Sequence, residues 1–226
     1  MRVDGILFDK DGTLFDFNAT WVAWVEALIA RWSAGEAGLA DRLAGAVGFD
    51  RTARAFRRGS VVIAGTPEDV AGALAPVLGR PAASLVERLN AEAAQAPMAE
   101  AVPLTPLLEG LRARGLRLGV ATNDAEAPAR AHLGAAGVTG LFDFIAGFDS
   151  GHGGKPAPGM CLAFAAATGL DPARVVMVGD STHDLLAGRA AGMQTVAVLT
   201  GLASAEVLAP LADTVLPDIG ALPGWL

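Results

Sequence analysis

Tyrosine is absent from the 226-residue chain, cysteine occurs once and histidine three times. A lone cysteine, Cys161, excludes an intramolecular disulfide framework and fits a reducing compartment. His132, His152 and His183 lie too far apart for an HxxxH zinc pair, and there is no CxxC to replace one. Basic residues are outnumbered 17 to 24, for a formal net charge of −7. An acidic chain repels phosphate backbones, so no nucleic-acid partner is expected. The longest uncharged run, residues 190–205, contains glycines, Gln194 and Thr195, and falls short of the roughly 20 apolar residues that span a bilayer. Asp4 and Asp9 interrupt the amino-terminal apolar stretch an export signal would need. The expectation is a cytoplasmic protein with no membrane segment, a monomer or homodimer.

What is present is a 52% hydrophobic chain in which short apolar runs recur, each followed by a turn and a helix-like stretch. Val3–Phe8, Leu116–Thr122, Phe142–Ile145, Val175–Val178, Thr195–Leu199 and Thr214–Leu216 read as strands. Alternation of such strands with helices predicts an α/β, Rossmann-like, doubly wound parallel sheet covered on both faces. Sites in these sheets form outside the carboxyl ends of the strands. The alternation breaks between residues 18 and 98. There, Trp21, Val25, Leu28 and Trp32 share one face of a helix, three more helices follow, and only Val61–Ile63 looks extended. The reading is an inserted all-helical domain, 18–98, over a core made of 1–17 and 99–226.

Four polar clusters are expected at the carboxyl ends of four predicted strands: Asp9-Lys10-Asp11-Gly12-Thr13, Thr122-Asn123, Gly151-His152-Gly153-Gly154-Lys155-Pro156 and Gly179-Asp180-Ser181-Thr182-His183-Asp184. Any one of them is commonplace as a turn, a cap or a surface loop. Together they place four carboxylates at one sheet edge with the Lys155 ammonium, the Thr122 hydroxyl and the Asn123 amide. One carboxylate can attack as a nucleophile while another handles protons, and the oxygen-rich set suits Mg²⁺.

In this order, FDKDGTLFD, ATND, GGKPAP and VGDSTHD resemble the four motifs of haloacid dehalogenase superfamily hydrolases, in the phosphatase branch with a helical cap after the first strand. Within it, the chain is most similar to the phosphoglycolate phosphatase group. The resemblance implies a Mg²⁺-dependent hydrolase of a small-molecule phosphomonoester that works through an aspartyl phosphate. It assigns Asp9 as nucleophile, Asp11 as acid and base, Thr122 and neighbouring backbone N–H groups as phosphoryl holders beside Asn123, and Lys155 as charge neutraliser. It assigns the metal to Asp9, the backbone carbonyl of Asp11 and Asp180, with Asp184 positioning bound waters or Lys155. Thr13 belongs to the first motif and is carried with the phosphate-binding set. Phe15 and Trp21 are expected at the pocket mouth. Arg54, one of four clustered arginines, is the expected grip on a substrate carboxylate, which would favour phosphoglycolate. Lys10 departs from the commonest family pattern and receives no role. The alternatives are a sugar-phosphate phosphatase, a β-phosphoglucomutase-like mutase and, more distantly, a phosphoacceptor receiver module.

Overall fold

The first apolar run becomes β1 (Gly5–Phe8), a strand buried along its whole length. Its side chains alternate between two cores: Ile6 and Phe8 enter one cluster and Leu7 the other, as a strand covered on both faces requires. A computed structural model describes residues 3–226. In chain order, α1 (Phe17–Ser33) and α2 (Ala37–Ala46) precede a short antiparallel hairpin, β2 (Phe49–Asp50) and β3 (Ala55–Phe56). Then come α3 (Val61–Ala64), α4 (Pro67–Leu78), α5 (Ala83–Ala93), α6 (Leu104–Ala113), β4 (Arg117–Ala121), α7 (Glu126–Ala135), β5 (Phe144–Ala146) and α8 (Gly159–Thr168). The chain continues through β6 (Val175–Gly179), α9 (Thr182–Ala190), β7 (Gln194–Val198) and β8 (Thr214–Leu216).

Six strands form one sheet in the order β5-β4-β1-β6-β7-β8, every pairing parallel. From β1 the chain winds outward through β4 and β5, then returns to the other side at β6. The carboxyl ends of β1, β4 and β6 are therefore adjacent. Phe164 of α8 lies so close to β4 that a Cβ on Gly119 would sit 2.6 Å from its ring. This glycine lets helix and sheet touch.

The residues of α1–α5 and the hairpin carry a hydrophobic cluster of their own, centred on Trp21, Trp24, Leu28, Leu43, Phe49 and Leu74. Trp24 and Trp32 are buried there, closing that core rather than presenting an apolar face for a second copy. The chain leaves the sheet and returns through paired segments: Asp16 N–H donates to Ala99 O and Ala101 N–H to Leu14 O. Two local predictions need correction. Val61–Ile63 is helical, because the Ser60 side chain caps Val62 N–H and overrides the strand preference of its β-branched residues. The extended backbone lies earlier, at Phe49–Asp50 and Ala55–Phe56, where Asp50 accepts from both Thr52 and Ala53 N–H and folds the turn. Among the described residues no helix is long and apolar enough to cross a membrane.

Candidate active site

Asp9 directly follows β1, and its N–H is held by Val178 O of β6. The chain then turns at Gly12, whose φ of +86° favours glycine. Thr200 Oγ1 donates to Gly12 O at 2.6 Å and pins the turn. Space is also limiting, since a Cβ on Gly12 would lie 2.5 Å from the Asp180 carboxylate, and one on Gly201 would overlap it. Glycine on two loops thus leaves room for one aspartate from a third.

Lys155 arrives from the loop before α8 and is 5% exposed. Its Nζ donates to Asp9 Oδ1 at 2.5 Å and to Ala121 O at 2.7 Å, and pairs with Asp184 Oδ1 at 2.6 Å. These three acceptors exhaust the ammonium. Asp184 is the third residue of α9, where it completes a capping box with Ser181 through its other oxygen. Asp9, Asp180 and Asp184 each present a carboxylate oxygen within 4.8 Å of the other two, all buried. Asp180 makes no ion pair within 4 Å among the described residues. Three acids against one lysine leave surplus negative charge, and an all-oxygen donor set is what a hard divalent cation takes. Burial pushes Asp9 up to about 7 despite the adjacent ammonium, and burial with the neighbouring acids raises Asp180 well above the carboxylate range. Burial works against the Lys155 ammonium, but its two acid partners outweigh this and raise it above the usual lysine range.

Thr122 follows β4. It is buried, and its Oγ1 accepts from Asp124 N–H. Asn123 spends both amide hydrogens on Ala64 O and Lys155 O, and its Oδ1 accepts from Lys155 N–H. It therefore ties α3 and the lysine loop to the strand end. The cleft is walled by Asp9, Asp11, Thr122, Asn123, Lys155, Asp180 and Asp184 below, and by Phe17, Trp21, Trp24, Val62–Thr66, Val70 and Leu89 above. Trp21 stands where the sequence places it, and His183 also reaches the wall.

Three expected site residues lie elsewhere. Phe15 is fully buried in the sheet's core, drawn inward like the apolar strand it follows. Thr13 is fully buried outside the cleft wall, its hydroxyl unpartnered, because the turn at Gly12 folds it beneath the loop. Arg54 sits in the hairpin turn at the surface, forked onto Glu26 at 2.7 and 2.8 Å. It grips a carboxylate of its own chain. Arg54→Ala is therefore expected to leave kcat/KM for phosphomonoesters and the melting temperature close to wild type, since exposed pairs contribute little. A large rise in KM would restore Arg54 to the site.

Sequence reasoning missed Lys10. It is fully buried, with Nζ 2.7 Å from Asp11 Oδ2, 3.3 Å from Asp124 Oδ2 and 3.1 Å from His132 Nδ1. The Asp11 carboxylate is thus turned onto Lys10 and stands outside the acid triad. A charged residue between two acids in an otherwise apolar segment was the available signal.

The comparisons with known proteins agree with this geometry. A family model described as haloacid dehalogenase-like hydrolase matches residues 3–192. Phosphoglycolate phosphatase of Caulobacter vibrioides is 32% identical over 96% of this chain and 88% of its own. The same-named protein of Rhodospirillum rubrum is 37% identical over 53% of this chain and 50% of its own. The chain spans about half the length of that relative and of several other curated relatives it matches. Among solved structures, a phosphatase of this superfamily from Thermococcus onnurineus superposes with a TM-score of 0.69 at 22% identity, covering 100% of this chain and 97% of that one; this likeness speaks to the fold. By the matched model and the Caulobacter relative, the chain belongs to the haloacid dehalogenase-like hydrolases.

Proposed function

We propose that the chain is a phosphatase that hydrolyses small phosphomonoesters through a covalent phosphoryl-Asp9. The observation that carries this reading is the meeting of Asp9, Lys155, Asp180 and Asp184 in one buried cluster at the carboxyl edge of a parallel sheet. Asp9 Oδ bonds to phosphorus as the leaving oxygen departs, and Asp11 gives that oxygen a proton. Water then attacks phosphorus, Asp11 takes its proton, and the Asp9 carboxylate and phosphate are released. Phosphoryl transfer asks for in-line placement and charge neutralisation, and Lys155 supplies one positive charge against the Asp9 oxygen. Asp9, Asp180 and Asp184 are the side chains that would hold Mg²⁺, which when bound neutralises charge on the phosphoryl oxygens. We take residues 18–98 to be a cap that closes the cleft from above and excludes water.

That cation has a pH signature. In the metal-free protein, Asp9 with its pKa near 7 holds a proton at pH 5.5 that an incoming cation must displace, whereas at pH 8 it has lost it. Mg²⁺ is accordingly expected to raise the melting temperature more at pH 8 than at pH 5.5, measured against EDTA. An equal rise at both would mean the ion binds elsewhere.

The names of the Caulobacter and Rhodospirillum relatives support phosphoglycolate as substrate. One observation favours a second reading: no arginine among the described residues lines the cleft, and its upper wall is largely aromatic and aliphatic. An uncharged alcohol, as in a sugar phosphate, fits that wall better than a carboxylate. A panel of phosphoglycolate, hexose phosphates and nucleotides decides between them. The uncharged-alcohol reading expects kcat/KM for phosphoglycolate below that for the hexose phosphates. Isomerisation of glucose 1-phosphate without free phosphate would replace both with a mutase.

A further inference from the structure

The chain has only two lysines, Lys10 and Lys155, and both are buried. Lys155 is accounted for above. Lys10 Nζ shares a hydrogen bond with His132 Nδ1 at 3.1 Å and forms ion pairs with Asp11 Oδ2 at 2.7 Å and Asp124 Oδ2 at 3.3 Å. Ala93 O can only accept, so His132 Nε2, 2.8 Å away, carries the ring proton and leaves the Nδ1 lone pair to Lys10. The ring is neutral, since burial and the adjacent ammonium push His132 down to about 4. On its remaining side the ammonium stands 5.5 Å from the centre of the Trp21 ring, a cation–π distance. Asp124 and His132 come from the β4–α7 region, Trp21 from α1, and Ala93 from α5. The Lys10 ammonium is thus fixed from both sides of the cleft.

Asp11 lines the cleft beside the nucleophile Asp9, and Asp124, Trp21 and Ala93 of this group line it too. Asp11 Oδ2 meets Lys10, while its Oδ1 has no partner among the described residues. With the ammonium on Oδ2, a proton carried by Asp11 sits on Oδ1.

We propose that Lys10 is a positioning residue: anchored by Asp124 and His132 and stacked on Trp21, it holds Asp11 by Oδ2 so that Oδ1 serves the leaving oxygen. The role rests on the reading of Asp11 as the acid of the proposed phosphatase. It differs from the role of Lys155, which meets the nucleophile itself.

A leaving-group series separates this role from a merely structural one. An alkyl phosphate needs its departing oxygen protonated, whereas 2,4-dinitrophenyl phosphate does not. The comparison uses kcat/KM, which reports the first phosphoryl transfer, for wild type, Lys10→Met, Lys10→Gln and Asp11→Asn. Lys10→Met is expected to lose about 100-fold on the alkyl phosphate, the lower range for a general acid, and little on the dinitrophenyl ester. It thereby follows the Asp11→Asn pattern. Lys10→Gln, which keeps an N–H donor, is expected to fall between Lys10→Met and wild type, and it decides the matter by the same criterion if Lys10→Met does not fold. Equal losses on both esters, or none, overturn the proposal. A steep Asp11→Asn dependence beside a wild-type-like Lys10→Met dependence sinks the role of Lys10 alone. A flat Asp11→Asn dependence sinks the acid assignment and the role of Lys10 with it.

Discussion

Asp9→Asn is expected to lower turnover of p-nitrophenyl phosphate by at least about 1,000-fold, as removal of a nucleophile does, while the chain stays folded. An amide has nearly the carboxylate's shape but no charged oxygen with which to attack phosphorus. Lys155 keeps Asp184 Oδ1 and Ala121 O as acceptors, so no buried ammonium is abandoned. The pH dependence of stability has a definite sign. The folded pKa of Asp9, about 7, exceeds its unfolded value of 3.8, so its ionisation opposes folding. The penalty is absent below pH 3.8, grows between the two values and is complete above pH 7. The metal-free variant should therefore melt no lower than wild type at pH 8 and gain nothing at pH 4. Near-wild-type turnover in a folded Asp9→Asn protein would remove the nucleophile from the account.

Lys155→Met carries the other large effect, on stability as well as activity. The substitution leaves Asp9, Asp180 and Asp184 buried together with no cation among them. Breaking a buried pair by deleting one partner costs about 3–5 kcal/mol, and that loss is expected in urea denaturation at pH 7.5 without metal. In the wild type the folded pKa of Lys155 lies above its unfolded value, so its stabilisation is fully present below pH 10.5 and changes little across the working range. In the variant Asp9 and Asp180 lose the ammonium that lowers them and titrate higher still. Its deficit should shrink toward pH 5, where protonated acids need no partner. An identical deficit at both pH values would point to lost packing by the lysine stem rather than lost charge.

Much of this site can be read from the chain because the fold places chemistry where strands end. Asp9, Thr122 and Asp180 each follow an apolar run, so the pattern that marks a buried strand also marks its exit. Lys155 stands out by its glycine-rich loop. Other features depend on contacts between distant segments. His132 reads as an ordinary helix residue, and only the approach of Lys10 and of Ala93 from α5 makes it an anchor. Asn123 could not be distinguished from a phosphate donor until both its amide hydrogens were found on Ala64 O and Lys155 O. Arg54 looked available because Glu26, its partner, is 28 positions away. Phe15 follows the nucleophile loop closely enough to suggest the pocket, yet its ring lies in the core. The helical segment was legible from its periodicity, but not the hairpin at Phe49–Phe56, whose strands are two residues each and whose turn rests on a single aspartate side chain.

The central claim is that phosphoryl transfer passes through Asp9. Its most direct test is to quench the Mg²⁺-loaded protein in acid during turnover of p-nitrophenyl phosphate, reduce with borohydride, and map the peptides by mass spectrometry. An acyl phosphate is reduced to an alcohol under these conditions, so the account predicts homoserine at position 9, dependent on substrate and absent from Asp9→Asn. An unmodified position 9 in an actively turning-over sample, or reduction at another aspartate, would contradict it.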